Sequence, residues 1–469
     1  MKGLTKIIIC FCFFVFPTLL IAQTKETTKN GTILHCWCWS FKTIEENIPA
    51  IAEAGFTALQ TSPANTCLVG EYGGLDIFGQ DLTGKWYYHY QPTDWKIGNY
   101  QLGTRDDFIS MCKKAEEYGI AVIVDVLPNH TTPRLKEVSQ DLIDAAGGMD
   151  NLYHENGMRD IRNWGNRYEA TSGKMGGLPD VNTENPLFQA YFMNYMNDLI
   201  ACGADGFRFD TAKHIALPDD PVDKASVENN FWPIFTGRED INGVMLQNAE
   251  NLFMYGEVLQ GDNSREADYA EFLPVTASSY GGILRQAVKS ERLLAKTLQD
   301  WRNAAGGENL VTWIESHDTY ANVGESAKMT HFQLRVGYAI IAARKNGTPL
   351  FFNRPQGKEA TQFPGVSKIG DMGNDQFMHK EVKAVNKFRQ AMVGEDEELI
   401  NGPTNKIFAI KRGEKGIVII NMEDLSKKVS FSIDLPDGKY VDKANGRTYK
   451  VEDGVLSGRI YSNTIAVIY

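Results

Sequence analysis

Between residues 32 and about 393, short apolar runs alternate with longer segments of helical periodicity, and this alternation restricts the possible folds more than any other feature. It is the sign of repeated strand and helix units around a parallel sheet. The candidate strands are Thr32 to Trp39, Thr57 to Thr61, Ile120 to Val126, Gly206 to Asp210, Leu252 to Glu257, Pro274 to Ser278, Leu310 to Glu315 and Pro349 to Phe352. Eight parallel strands, each followed by a helix, is the count of an α/β (β/α)8 TIM barrel, and the chain length fits that architecture with insertions. The pattern alone also admits a doubly wound open sheet.

Two connecting helices show the local logic. Thr104 and Asp107 form an N-terminal capping pattern, Phe108, Met111, Cys112 and Ala115 recur at helical spacing, and Gly119 supplies the stop. A second helix is expected from Asn182, through Pro186 in the first turn and the apolar Leu187, Phe188, Tyr191 and Phe192, to Gly203.

Two stretches break the alternation. From 127 to 187 the chain is rich in Gly, Asn and Asp and too long for an ordinary strand-to-helix loop, which predicts a small inserted domain after the third strand. The barrel would then occupy 23–126 and 188–393. From 394 to 469 short alternating runs, among them Lys406 to Lys411, Gly416 to Asn421, Lys428 to Ile433 and Thr464 to Tyr469, are separated by turns such as Pro436-Asp437-Gly438, which predicts an antiparallel β-sandwich.

Composition excludes several classes. The hydrophobic content of 43% supports a sizeable core. The net charge is −11, and no Lys/Arg-rich run could neutralise a phosphate backbone, so nucleic acid is not an expected partner. Lys2 and Lys6, the apolar stretch from Ile7 to Leu20 and the small-residue site at Ala22 predict a signal peptide over 1–22. A membrane anchor is the alternative, but Pro17 and the short apolar length favour cleavage. The expectation is a secreted protein, extracellular or periplasmic, monomeric and free of the membrane after cleavage. The remaining cysteines, Cys36, Cys38, Cys67, Cys112 and Cys202, are odd in number and lack metal-site spacing, so stability should come from the core.

In such barrels the reacting groups sit where strands end in loops at the C-terminal face. Four of the runs end in clustered polar residues: Asp125 to His130, Gly206 to Asp210, Tyr255-Gly256-Glu257 and Glu315 to Asp318. Strand parity sends Phe207 and Phe209 outward and brings Arg208 and Asp210 together in the barrel mouth. An arginine there favours an ionised Asp210, as a nucleophile requires; the bland alternative is a structural ion pair. Glu257 follows the apolar Leu252-Phe253-Met254-Tyr255, surroundings that disfavour charge and suit a general acid, or it is merely a strand-end carboxylate. Two carboxyls with opposed environments are the arrangement of retaining glycosidases. Asp318, beside His317, would be a third acid able to bind sugar hydroxyls. No Gly-x-Ser-x-Gly elbow and no His-x-x-x-His spacing accompanies them, which argues against a serine triad or a zinc site.

Taken together, these segments resemble glycoside hydrolase family 13, the alpha-amylase family, and most of all its secreted bacterial saccharifying members of the bacillus type. The likeness also covers Leu178 to Asn182 and Gly347 to Pro355. The resemblance implies Asp210 as nucleophile, Glu257 as acid/base and Asp318 as transition-state stabiliser. It implies that Tyr90, Gln91, His130, Arg208 and His317 line the sugar subsite at the cleavage point, with Lys213 and His214 on the leaving-group side. It implies a calcium ion held by the side chains of Asn129 and Asp180 and the backbone carbonyls of Thr171 and His214, hard oxygen donors of the kind calcium prefers. The implied activity is endo-hydrolysis of alpha-1,4-glucosidic bonds in an alpha-glucan. A maltooligosaccharide-specific glucosidase or transglycosylase is the alternative, and a non-catalytic sugar-binding protein fits poorly with all three acids present.

Overall fold

The computed structural model describes residues 24–69, 86–356, 367 and 369–469; the leader expected over 1–22 lies outside them. Its centre is a closed barrel of parallel strands: β1 (Ile33–Cys36), β2 (Ala58–Thr61), β5 (Ala121–Val126), β6 (Gly206–Phe209), β7 (Phe253–Gly256), β8 (Val275–Thr276), β9 (Leu310–Thr312) and β10 (Thr348–Phe352). The closure of β10 onto β1 removes the open-sheet alternative. An antiparallel pair, β3 (Asn65–Cys67) with β4 (Pro92–Ile97), absent from the sequence reading, comes between β2 and β5 in the chain.

Side-chain parity explains the barrel. Ile33, Ala58, Ala121, Ile123, Phe253, Tyr255, Leu350 and Phe352 fill the interior. Their sequence neighbours Leu34, Leu59, Val122, Val124, Phe207, Phe209, Met254 and Phe351 pack outward among the helices. On the same inward faces, one step nearer the C-terminal ends, come Asp125 and Arg208, paired in register across β5 and β6.

Several element ends depart from the expectations, the strand expected over Leu310 to Glu315 ending at Thr312, and three departures have a visible local cause. The first strand stops at Cys36 because Cys38 adopts φ 63° and its N–H turns to the Ser62 hydroxyl instead of a ladder carbonyl. The run from Pro274 keeps only two strand residues because a helix already starts at Ser278. The helix expected from Asn182 begins at Pro186, capped by the Asn185 side chain. Thr104, by contrast, builds the capping box with Asp107 that the sequence announced.

Between β5 and the helix Pro186–Ala201 the chain forms three short α-helices, Gln140–Ala145, Met149–Leu152 and Arg167–Ser172, and a 3-10 turn at Leu135–Glu137, with an isolated bridge joining Asp180 to His130 just beyond β5. After the helix Lys380–Ala391 come two four-stranded antiparallel sheets. One holds β11 (Glu397–Asn401), β12 (Ile407–Arg412), β13 (Gly416–Asn421) and β18 (Thr464–Ile468). The other holds β14 (Lys427–Ser432), β15 (Gly438–Val441), β16 (Thr448–Glu452) and β17 (Val455–Ile460). The first sheet is apolar on both faces. Ile407, Ala409, Ile417, Ile419, Ala466 and Ile468 meet the second sheet, while Phe408, Ile410, Val418, Ile420, Ile465 and Val467 join the core around the barrel. The five described cysteines are free and buried, and no helix among the described residues is long and apolar enough to cross a membrane.

Candidate active site

A cleft of about 450 Å³ opens at the C-terminal ends of the barrel strands, and Tyr90, Gln91, His130, Asp210, Lys213, His214, Glu257, His317 and Asp318 all line it. Arg208 lies beneath them, almost wholly buried. The structure thus brings together every residue expected for the catalytic and sugar-binding roles. Trp86, Tyr87, Met175, Leu178, Leu259, Asn322 and Val323 complete the walls. The sequence reading missed these seven as site residues because a lone apolar, aromatic or amide side chain between elements carries no pattern that separates a cleft wall from packing.

The floor is organised around one guanidinium. Arg208 Nη1 donates to Asp125 Oδ1 at 2.7 Å and Oδ2 at 2.8 Å and to Asp210 Oδ1 at 2.6 Å. Its Nη2 lies 3.0 Å from Glu257 Oε2. Backbone pairing brings the two acids near, since Asp210 N–H donates to the Val126 carbonyl and Glu257 N–H to that of Phe209. Thr211, immediately after Asp210, takes the left-handed conformation with φ 48°. That backbone is costly for a β-branched residue, and here it aims the Thr211 N–H at Glu257 Oε2, 3.0 Å away.

The walls are neutral and aromatic. The Tyr90 ring stacks on His317 with centroids 4.9 Å apart and its hydroxyl donates to Asp125 Oδ2 at 3.1 Å. His317 Nε2 lies 3.5 Å from Asp318 Oδ2. His130 Nε2 donates to the Tyr90 carbonyl at 3.0 Å and lies 3.9 Å from Asp210 Oδ2. Burial depresses the pKa of His130, His214 and His317 to about 4, so all three are neutral hydrogen-bonding groups near pH 7. Among the described residues Gln91 Oε1 and His130 Nδ1 are buried without a hydrogen-bond partner, as atoms that a ligand's hydroxyls could satisfy would be.

The protonation of the floor corrects one expectation. Arg208 does not single out Asp210, because its one positive charge is shared with Asp125 and Glu257. Burial raises the pKa of Asp210 and of Glu257 above the usual carboxylate range, and Arg208 only partly opposes it for either. Asp125 is pushed up to about 8, again chiefly by burial. Three carboxylates against one guanidinium must hold a proton near neutral pH. Asp318 presses against charge on both acids; the difference lies in the Arg208 hydrogen bond, which favours the Asp210 anion, and in Asp210 itself, whose charge presses further against that of Glu257 while the Thr211 N–H partly offsets it.

The residues expected to hold calcium lie on adjoining segments. The Asn129 carbonyl accepts from Val181 N–H, and His214 Nδ1 donates to the Ala170 carbonyl at 2.8 Å, next to Thr171. Among the described residues no group of three or more His, Cys, Asp or Glu side chains is arranged to hold a metal. The expected donor set contains only one such side chain, Asp180, with an amide and two carbonyls. Among the described residues Asp180 Oδ1 and one end of the Asn129 amide are buried without a formed hydrogen bond, although the amide lies close enough to favour the Asp180 anion, and a half-turn of that amide exchanges its nitrogen for its oxygen. These donors fit a hard cation.

Residues 40–398 match the family model for the alpha amylase catalytic domain. The chain is 45% identical over 472 residues to an alpha-amylase of Butyrivibrio fibrisolvens, covering 95% of this chain and 48% of that protein. It is 36% identical to an alpha-amylase of Clostridium acetobutylicum, covering 95% of this chain and 55% of that one. The chain thus spans about half the length of these relatives. Among solved structures, alpha-amylase I of Eisenia fetida in complex with maltohexaose superposes with a TM-score of 0.74 at 19% identity, covering 94% of this chain and 97% of that one. With its catalytic-domain match and its barrel, the chain belongs to the alpha-amylase family.

Proposed function

We propose that this protein is a secreted alpha-amylase that hydrolyses internal alpha-1,4-glucosidic bonds of starch-like glucans with retention of configuration. The observation that carries the reading is the bridging of Asp210 and Glu257 by Arg208 in the floor of a cleft whose rim holds Asp318. In the first step a carboxylate oxygen of Asp210 attacks the anomeric carbon while Glu257 gives its proton to the departing glycosidic oxygen. In the second, Glu257 takes a proton from water, and the hydroxide oxygen displaces Asp210 from the same carbon. Asp318, with His317, His130 and Gln91, binds the hydroxyls of the sugar as positive charge develops on its ring. Lys213 and His214 line the cleft and serve the leaving side. Calcium, held by Asn129, Asp180 and the carbonyls of Thr171 and His214, would tie the segment 127–187 to the barrel.

The test is Glu257→Gln, which preserves shape and removes the transferable proton. Activity on soluble starch should fall by about 10²–10⁴-fold or more with an unchanged melting temperature. Near-normal turnover in that variant defeats the assignment. Chromatography of products from maltoheptaose separates hydrolysis from transfer to sugar acceptors.

A further inference from the structure

His154, in the segment between β5 and β6, is the only buried histidine among the described residues clamped between two carboxylates. Its Nδ1 donates to Asp180 Oδ2 at 2.6 Å and its Nε2 to Glu184 Oε2 at 2.7 Å. All three side chains are nearly inaccessible to solvent. Glu184 is fixed in turn by the Thr183 hydroxyl, which donates to its Oε1 at 2.8 Å. None of these residues other than Asp180 belongs to the donor set described above, and none lines the cleft.

The backbone reinforces the clamp. His154 N–H donates to the Asp180 carbonyl, Gly157 N–H to the His154 carbonyl, and Asp180 N–H to the Gly157 carbonyl. A Cβ at Gly157 would stand 2.5 Å from the Asp180 carbonyl oxygen, so the turn closes this tightly only with glycine there. One carboxylate oxygen of Asp180 is thereby committed to His154, and the other, Oδ1, is buried with no formed hydrogen bond among the described residues, the Asn129 amide of the same donor set lying near the carboxylate. Rotation of the carboxylate would break a short hydrogen bond between two buried side chains.

We infer that His154 is a positioning residue for cation binding: held by Glu184, it locks Asp180 so that Oδ1 faces the ion. This rests on the calcium reading above. Outer partners of metal ligands commonly change affinity by about 10–100-fold when removed, because they fix the ligand's orientation before the ion arrives. The same clamp links the turn at 154–157 to Asp180, so the ion and the local fold depend on one hydrogen-bonded chain.

The experiment is calorimetric titration of calcium into the chelator-stripped full chain and its variants His154→Gln, Glu184→Gln and, as a ligand control, Asp180→Asn. The calcium Kd should rise by about 10–100-fold in His154→Gln, with a smaller rise in the same direction in Glu184→Gln. A purely structural histidine would lower the melting temperature of the stripped protein and leave the Kd unchanged. Glu184→Gln, nearly isosteric, decides the matter if His154→Gln fails to fold. A Kd within twofold of the parent's in the variants that fold overturns the inference while leaving calcium binding intact. A parent chain that takes up no calcium overturns both.

Discussion

Arg208 sets the chemistry of the cleft by being outnumbered. One guanidinium in contact with Asp125, Asp210 and Glu257 cannot compensate three buried charges, so these groups titrate together above the ordinary carboxylate range. On the proposed mechanism Asp210 is ionised to attack and Glu257 protonated to donate. The rate should therefore rise with pH as the Asp210 side of the cluster loses its proton, and fall at higher pH as Glu257 loses its own. Because burial raises both, the rising limb of kcat on maltoheptaose should lie above pH 4, the value for an unperturbed carboxyl. A rising limb at or below pH 4 would contradict the crowded floor. The histidines, depressed to about 4, should contribute nothing to the profile near neutrality.

At the scale of elements, the barrel's connections rest on local signals that can be removed one at a time. Thr104 accepts from the Asp107 N–H, and the Asp107 carboxylate accepts from the Thr104 N–H and hydroxyl. The helix Arg105–Glu117 packs Phe108, Met111, Cys112 and Ala115 into the core, and none of these lines the cleft. Thr104→Ala should cost about 0.5–2 kcal/mol, read as a lower urea midpoint with unchanged kcat. This helix was legible in the sequence because its cap, apolar spacing and stop lie within sixteen positions. The pairing of β3 with β4 was not, because Cys67 and Pro92 are far apart in sequence and the register shifts between Asn65 and Cys67.

Across the whole molecule, the C-terminal sheets are bound into the barrel's own core. Phe408, Ile410, Val418, Ile420, Ile465 and Val467 are fully buried against it, and each large apolar side chain contributes about 1.5–3 kcal/mol by leaving water. Arg412 adds hydrogen bonds to the carbonyls of Ala343 and Met392 at the ends of two barrel helices. Deleting 394–469 should therefore abolish soluble, folded protein; a truncated chain that stays soluble with the parent's melting temperature would refute this.

What the sequence determined alone was periodic or clustered along the chain: eight strand runs, the inward parity of Arg208 and Asp210, and the polar strand ends that carry Asp125, Glu257 and Asp318. These follow from the two-residue repeat of a strand and from the rule that loops at one barrel end collect the reactive groups. Only the tertiary structure decided how charge is shared. Three carboxylates meeting one arginine, and His154 meeting Asp180 and Glu184 across 26 and 30 positions, are encounters between segments with no common period. Electrostatic energy depends on distance and burial in space, and neither is written in the order of residues.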